Sequence, residues 1–434
     1  MITFLHTADI HFGMENYGRI DPTTGIHSRL LDFDRALNFC IDTAIEKKVD
    51  FFLFCGDAYK TTNPTPTQQK LFFNCLLKLY KANIPVVIII GNHDNPVSFG
   101  KAHSLDVFSN LPIDGFHVIS KPQIINLKTK NGPIQIVGIP WPARNNITIS
   151  EKHLVKSYKD ITNYIGKAVG NIITDFAQKL NPTIPAVLAG HLTVTSGVFS
   201  GSEKRAIYGN DPTFLPSQLA IQPFDYVALG HLHRYQNLNK NGYPAIIYPG
   251  SLERVDFGER KECKGFCVVT IESNISHPQG CDDSSTLSAC TNPQGDRKTS
   301  HEFIKTPTRP FIQIEVKLQE YQDHTTQIIN EINKHDIDGA ILKILYHVPD
   351  QEKDKVDLQM IQQQCAKAMH IVSIIPIRKN MIRERRSDLK VSMDFATLIG
   401  TYLDTKPQLK NRKNTLITKA LELFEESKEP QKET

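Results

Sequence analysis

Five short polar clusters recur within the first 233 residues, and each directly follows an apolar run. They are Asp9-Ile10-His11, Gly56-Asp57, Gly91-Asn92-His93-Asp94, Gly190-His191 and Gly230-His231-Leu232-His233. Together they offer two ligating carboxylates, one amide oxygen and up to five imidazoles. Oxygen and imidazole donors without thiolate suit Mn²⁺, Fe²⁺ or Zn²⁺ rather than a cysteine-bound structural zinc. One ion cannot use Asp9, His11, Asp57, Asn92, His191, His231 and His233 as well as water, but two ions can share them. Asp57 is the natural bridge, because a carboxylate has two oxygens to offer. His93 follows the ligand Asn92 and is placed to act as general acid toward a leaving oxygen. Glycine beside four of the clusters lets the backbone turn sharply there.

That composition points to phosphoester chemistry. Two divalent ions bring four positive charges, Asp9 and Asp57 return two negative ones, and neutral imidazoles return none. A centre left positive attracts a phosphodiester and stabilises the added charge of its transition state. Other chemistries lack their residues. No G-x-x-x-x-G-K-[ST] supports a P-loop, and no G-x-S-x-G supports a serine hydrolase.

The clusters need strands to carry them. Phe51–Phe54, Val86–Ile90, Ile184–Leu188 and Phe224–Leu229 are short apolar runs stopped by glycine, as buried strands are. Between the first two, apolar residues at 72, 73, 76, 77 and 80 form a helical stripe within Gln69–Tyr80. The pattern predicts an α/β fold whose sheet is covered on both faces. In such a fold the carboxyl ends of strands converge on one crevice, which brings distant clusters together.

The pattern breaks at Ser273–Glu302, a polar stretch rich in Gly, Pro and Ser, which predicts a flexible linker or insertion over 273–304. A small α+β unit is expected over 305–380, with strands at Phe311–Val316, Ile341–Tyr346 and Ile371–Ile377 and helices at Thr325–Ile332 and Leu358–Met369. The tail, 381–434, holds two amphipathic stripes: Phe395, Leu398, Ile399, Tyr402 and Leu403, then Leu416, Ile417, Ala420, Leu421 and Phe424. Ser392 is placed to cap the first.

Of 434 residues, 50 are Lys or Arg and 46 are Asp or Glu. The tail from Arg378 holds 13 of the basic and 9 of the acidic residues, so the whole excess of +4 lies there. Such a tail permits a nucleic-acid partner but does not demand one. The eight cysteines form no C-x-x-C pair and lie mostly in apolar segments, which predicts a reducing, cytoplasmic setting; only Cys281 and Cys290 are placed to pair. No run approaches the length of a membrane span, and the N-terminus lacks the pattern of a signal peptide.

The ordered set of clusters resembles the calcineurin-like metallophosphoesterases over about residues 1–272. Within them, ADIHFG, CGDAYKTTNPTPTQQ, IIIGNHDNP and ALGHLHRYQ resemble the SbcD-type nuclease subunits. The resemblance implies a two-sheet sandwich flanked by helices, then a small α+β capping domain and a helical tail that binds an SbcC-type coiled-coil ATPase. It implies a first metal on Asp9, His11, Asp57 and His233, and a second on Asp57, Asn92, His191 and His231, with Mn²⁺ as the metal. His93 would assist the leaving group, and Asp94 would orient His93, support the site from behind, or simply make a turn. The implied activity is 3′–5′ exonuclease and endonuclease cleavage of double-stranded DNA ends, in repair and recombination at the nucleoid. The implied assembly is a homodimer within a heterotetramer. One position departs from the pattern: relatives often carry a histidine three places after the bridging aspartate, and here that place is Lys60, which could touch a phosphate or lie in solvent. Arg383, Arg385 and Arg386 are open between DNA contact and solvation. Two rivals use the same residues, a phosphodiesterase of small substrates and a non-catalytic scaffold for DNA ends.

Overall fold

The structure is a computed structural model that describes residues 1–95, 102–109, 114–142, 158–201, 211–273, 288–291, 297–349, 353–378, 395–404 and 406–426. Strands β1 (Ile2–Thr7), β2 (Phe51–Phe54), β3 (Val86–Ile89) and β4 (Phe116–Ile119) lie parallel in that order. The chain then builds a second sheet from β5 (Gln123–Thr129), β6 (Gly132–Ile139) and β7 (Ala186–His191). The two-residue strands β8 (Thr193–Val194) and β9 (Thr213–Phe214) pair with each other. The second sheet is completed by β10 (Tyr226–Gly230), β11 (Gln236–Asn237) and β12 (Ala245–Tyr248), in the order β11-β12-β10-β7-β6-β5. Finally β13 (Gly265–Ser273), β14 (Ser288–Thr291) and β15 (Arg297–Lys305) return to the first sheet, where β13 runs antiparallel beside β1.

Side-chain alternation explains the packing. Phe4, Phe51, Leu53, Val87 and Ile89 face inward and meet Ile136, Val187, Tyr226, Ala228 and Ile247 of the second sheet in one buried cluster. Their neighbours Leu5, Phe52, Phe54 and Ile88 face outward and pack on Leu37, Ile41, Phe72 and Leu76 of helices α1 (Ser28–Glu46) and α2 (Pro66–Lys81). The outer face of the second sheet, with Leu188, Val227 and Leu229, packs on Ile165, Val169 and Ile173 of helix Tyr158–Lys179. Each central strand is buried on both faces, hence the unbroken apolar runs. The fold is therefore a two-sheet α/β sandwich flanked by helices, and the inner cover of each sheet is the other sheet. The helix expected at Gln69–Tyr80 runs longer, because Thr65 and Gln68 form a capping box and Pro66 fits the first turn.

The linker expected over 273–304 needs correction at its end. Arg297–Lys305 is a strand that pairs along β13, and Ser288–Thr291 pairs beside it. The strand turns Arg297, Thr299 and His301 inward, so its buried face is polar and hydropathy misses it. Arg297 is satisfied there by Asp225, at 2.8 Å.

Beyond 305 come β16 (Phe311–Lys317), β17 (Ile341–His347) and β18 (His370–Ile377) in one three-stranded sheet, with helices His324–Ile332 and Leu358–Gln364. The second helix stops five residues short of the expected Met369. Two compact units result. One comprises Met1–Ile314, Ile329–Ile344 and Asp357–Ile374, and the other Glu315–Ile328, Leu345–Val356 and Ile375–Thr434. In the second unit, helices Phe395–Asp404 and Lys413–Glu426 occupy the two expected stripes. They pack on each other, with Leu403 buried, while Tyr402 and Leu423 remain 54% and 55% exposed. Ser392, Arg383, Arg385, Arg386 and Cys281 lie outside the described residues, as does the side chain of Cys290. Cys40, Cys55, Cys75, Cys267 and Cys365 are free and buried. No helix among the described residues is long and apolar enough to cross a membrane.

Candidate metal centre

The first sheet brings the Asp9/His11, Asp57 and Asn92/His93 clusters to the carboxyl ends of β1, β2 and β3. The second brings His191 and His231/His233 to the ends of β7 and β10. The chain reverses sharply at these ends. Asp9, His11, Asp57 and His231 all have positive φ, at 53°, 53°, 60° and 106°. Residues other than glycine rarely adopt that conformation, and they do so where the surroundings hold them there. Here the backbone is held by Asp9 N–H to Gly56 O (3.0 Å) and His11 N–H to Asp57 O (3.1 Å), and the Asp9 carboxylate accepts the His231 N–H at 3.0 Å. Gly91 must be glycine, because a Cβ there would collide with the Asp57 carboxylate.

Asp57 is at the middle. Its Oδ1 accepts the His93 N–H at 2.8 Å. Its Oδ2 lies 3.5, 3.8 and 4.0 Å from Nε2 of His191, His11 and His93. Asn92 Oδ1 lies 3.0 Å from His191 Nε2 and 3.1 Å from His231 Nδ1. His11 and His233 face each other, Nε2 to Nε2, at 2.9 Å. Three groups have ligand atoms mutually within 4.8 Å: Asp9/His11/His233, His11/Asp57/His93 and Asp9/Asp57/His191.

The far side of each ring fixes which nitrogen faces inward. A carbonyl only accepts, so His191 Nδ1 donates to Cys55 O (2.7 Å) and His93 Nδ1 donates to Lys60 O (2.8 Å). Both rings therefore turn Nε2 to the centre. His233 Nδ1 lies 2.9 Å from Glu259. Lys60 thus serves His93 through its backbone. Asp94 does not touch the His93 ring; its carboxylate accepts N–H groups from Asp57 (2.8 Å), Ala58 (3.0 Å) and Gly91 (3.1 Å). It braces the two turns that carry Asp57 and Asn92.

Burial alone would raise the Asp57 carboxyl, but the charge and hydrogen bond of His191, with His93 and His11 beyond, hold it well below the usual carboxylate range. For His191, burial is outweighed by Asp57, and the imidazole rises to about 9. Burial raises Asp9 to about 7 against the pull of His191 and His233, and burial with the Asp57 charge raises Asp94 to about 7. Burial, reinforced by neighbouring imidazoles, keeps His11 and His231 well below the ordinary histidine value. Their lone pairs stay available, and His11 Nδ1 and His231 Nε2 are buried without a hydrogen-bond partner. The nitrogens these rings turn to the centre are His11 Nε2 and His231 Nδ1, and with the carboxylates and Asn92 Oδ1 they make an oxygen and imidazole donor set without thiolate, which fits divalent cations.

Residues 2–235 match the family model described as calcineurin-like phosphoesterase. The chain belongs to that family. Among solved structures, it is similar to a dimetal phosphatase from Danio rerio, at 12% identity over 62% of this chain and 92% of that one, with a TM-score of 0.38. It is also similar to a Thermus thermophilus protein, TT1561, at 13% identity over 58% of this chain and 90% of that one, with a TM-score of 0.33. As a calcineurin-like phosphoesterase, the chain is a metal-dependent phosphoester hydrolase of a family that holds two divalent ions.

Two side chains at the phosphoesterase centre escaped the sequence reading. Trp141 follows β6, and its ring lies 4.8 Å from that of His231. The run Ile134–Ile139 ends on the same crevice, and that strand end was the available signal; it carries no ligand-type residue. Glu259 sits in a loop with no periodicity, and nothing in its neighbours marks it.

Proposed function

We propose that this calcineurin-like phosphoesterase is an SbcD-like DNA nuclease subunit, cutting double-stranded ends with an SbcC-type ATPase in repair and recombination. The observation that carries the hydrolytic part is the convergence of three imidazole nitrogens on Asp57 Oδ2, with His93 the most exposed of the three at 33%. Asp9, His11, Asp57 and His233 would hold one ion, and Asp57, Asn92, His191 and His231 the other; Mn²⁺ suits this donor set. When bound, the ions supply Lewis acidity toward the phosphoryl group and its nucleophile. The chain's residues do the rest. Lys60 O holds His93 Nδ1–H and so turns Nε2 toward the leaving sugar oxygen, to which the doubly protonated ring would give its Nε2 proton, leaving the neutral Nδ1–H tautomer. Asp57 Oδ1 pins the His93 backbone, and Asp94 pins that of Asp57.

DNA as substrate rests on the four motifs and on the C-terminal third of the chain. A small-substrate esterase has no need of a three-stranded unit or of two tail helices with exposed Tyr402 and Leu423. Those helices suit a partner ATPase, and a dimer within a larger assembly is the accompanying reading. The test is hydrolysis of duplex DNA and of a chromogenic diester by the purified chain in Mn²⁺, with and without the ATPase. End resection that requires His93 supports the nuclease. Diester cleavage with no DNA cutting, even beside the ATPase, points to the small-substrate reading, and end processing indifferent to His93→Ala points to the scaffold.

A further inference from the structure

Three imidazoles at the centre rest Nδ1 on a partner behind them, and one of those partners is charged. His191 and His93 rest theirs on neutral carbonyls. His233 rests its Nδ1 on Oε1 of Glu259, at 2.9 Å. Glu259 is fully buried and closes a short turn, Phe257–Glu259. Its second oxygen, Oε2, accepts from Lys264 Nζ at 2.8 Å and from the Val255 N–H at 2.9 Å. Lys264 is buried too, and also donates to the His233 carbonyl at 2.8 Å. Buried charges persist only when paired and hydrogen-bonded, and here each has its partner. Phe257, in the same turn, packs with Phe311 and Ile341, its ring centroid 5.6 Å from that of Phe311. The turn is thus anchored at both ends.

We propose that Glu259 is a positioning residue for His233, holding the imidazole in the tautomer and orientation that present Nε2 to a divalent metal. This rests on the two-metal reading of the centre. A carboxylate accepts but does not donate, so Nδ1 carries the proton and the Nε2 lone pair faces inward. A charged acceptor also makes Nε2 a better donor to a metal than a neutral carbonyl does. Lys264 keeps the carboxylate ionised and fixes its second oxygen, so the first is committed to the ring.

Glu259→Gln discriminates, because an amide has one acceptor oxygen. Lys264 and the Val255 N–H both demand it, which turns the amide NH₂ toward His233 Nδ1 and inverts the tautomer. Mn²⁺ binding to the full chain is measured by calorimetry, and the His233 ring nitrogens are read by ¹⁵N NMR of the metal-free protein. The expected result is Mn²⁺ binding weakened roughly 10–100-fold at one of two positions, with the proton moved to Nε2. A Glu259→Leu/Lys264→Met double variant removes both buried charges and leaves His233 Nδ1 no acceptor at residue 259, and carries the comparison if the single variant folds poorly; a loss of affinity is again expected. Unchanged affinity with an unchanged tautomer overturns the proposal, as does a loss that the double variant restores. Asp57→Asn is the control: if it binds Mn²⁺ like the parent chain, the two-metal reading itself fails, and this inference with it.

Discussion

With one oxygen Asp57 faces three imidazole nitrogens, and with the other it accepts the His93 N–H. Asp57→Asn keeps the shape and an acceptor for His93 but removes the negative charge at the middle of the proposed two-metal centre. The expected outcome is loss of both ions in metal analysis after gel filtration, and a fall in diester hydrolysis of roughly 10²-fold or more, since the ions supply most of the charge stabilisation. His93→Gln should behave differently. His93 faces Asp57 from its exposed side and is not one of the seven proposed ligands, so on that reading the ions stay, while turnover falls roughly 10²–10⁴-fold, the usual contribution of a general acid. The loss should shrink when the leaving group is nitrophenolate, which departs without a proton. Steady-state rates on alkyl and nitrophenyl diesters check this; an equal loss on both would remove the acid role from His93. The two residues were legible because their type and their place after a glycine-stopped run say what they can do. The choice of ring nitrogen was not legible, because it is set by carbonyls at Cys55 and Lys60 that any residue would supply.

The elements must hold two sheets in register if their strand ends are to share ligands. One tie is buried between them: His6 of β1 lies 3.1 Å from the Tyr226 hydroxyl and 3.2 Å from Leu229 O, both on β10. The carbonyl takes Nε2–H, and in the neutral ring Nδ1 accepts from the hydroxyl. Burial, with a smaller push from His301, accordingly lowers His6 to about 3 despite the Leu229 bond. The unfolded chain keeps the ordinary value of 6.5, so between these values unfolding takes up a proton. Stability from this group is whole above pH ~6.5 and is lost as pH falls toward ~3, by about 2 kcal/mol at pH ~5. His6→Gln can make the same two bonds without titrating. Urea unfolding of both metal-free proteins from about pH 7 to about pH 5 should give a flatter curve for the variant; parallel curves would mean that His6 does not titrate with folding. Sequence periodicity revealed β2, β3, β7, β10, β16 to β18 and helix α2, but a strand buried on both faces looks the same whether a helix or a second sheet covers it. β15 was misread for the opposite reason, because its buried Arg297, Thr299 and His301 carry no apolar signal. Glu259 was illegible because its partner, Lys264, and its client, His233, are set by tertiary placement alone.

At the scale of the two-sheet unit, the centre is a cross-link. Asp9, His11, Asp57 and Asn92 come from the ends of the first sheet, and His191, His231 and His233 from the second. Cations bound there engage both sheets at once, and the unfolded chain offers no such arrangement. Binding to the folded state alone stabilises by RT ln(1 + [L]/Kd), about 2.7 kcal/mol per site at a hundredfold excess over Kd. For a unit of this size, each kcal/mol moves the midpoint by about 2–4 °C. Adding Mn²⁺ to chelator-stripped protein should therefore raise the melting midpoint of this unit by about 5–10 °C per site, climbing with the logarithm of metal concentration. The near-ultraviolet signal of Trp141, the chain's one tryptophan, reports the melting of this unit. Asp57→Asn should melt at the same temperature with or without metal. If the parent chain binds two ions by metal analysis yet melts unchanged, the ions sit somewhere that does not join the sheets, and the seven side chains are not their ligands.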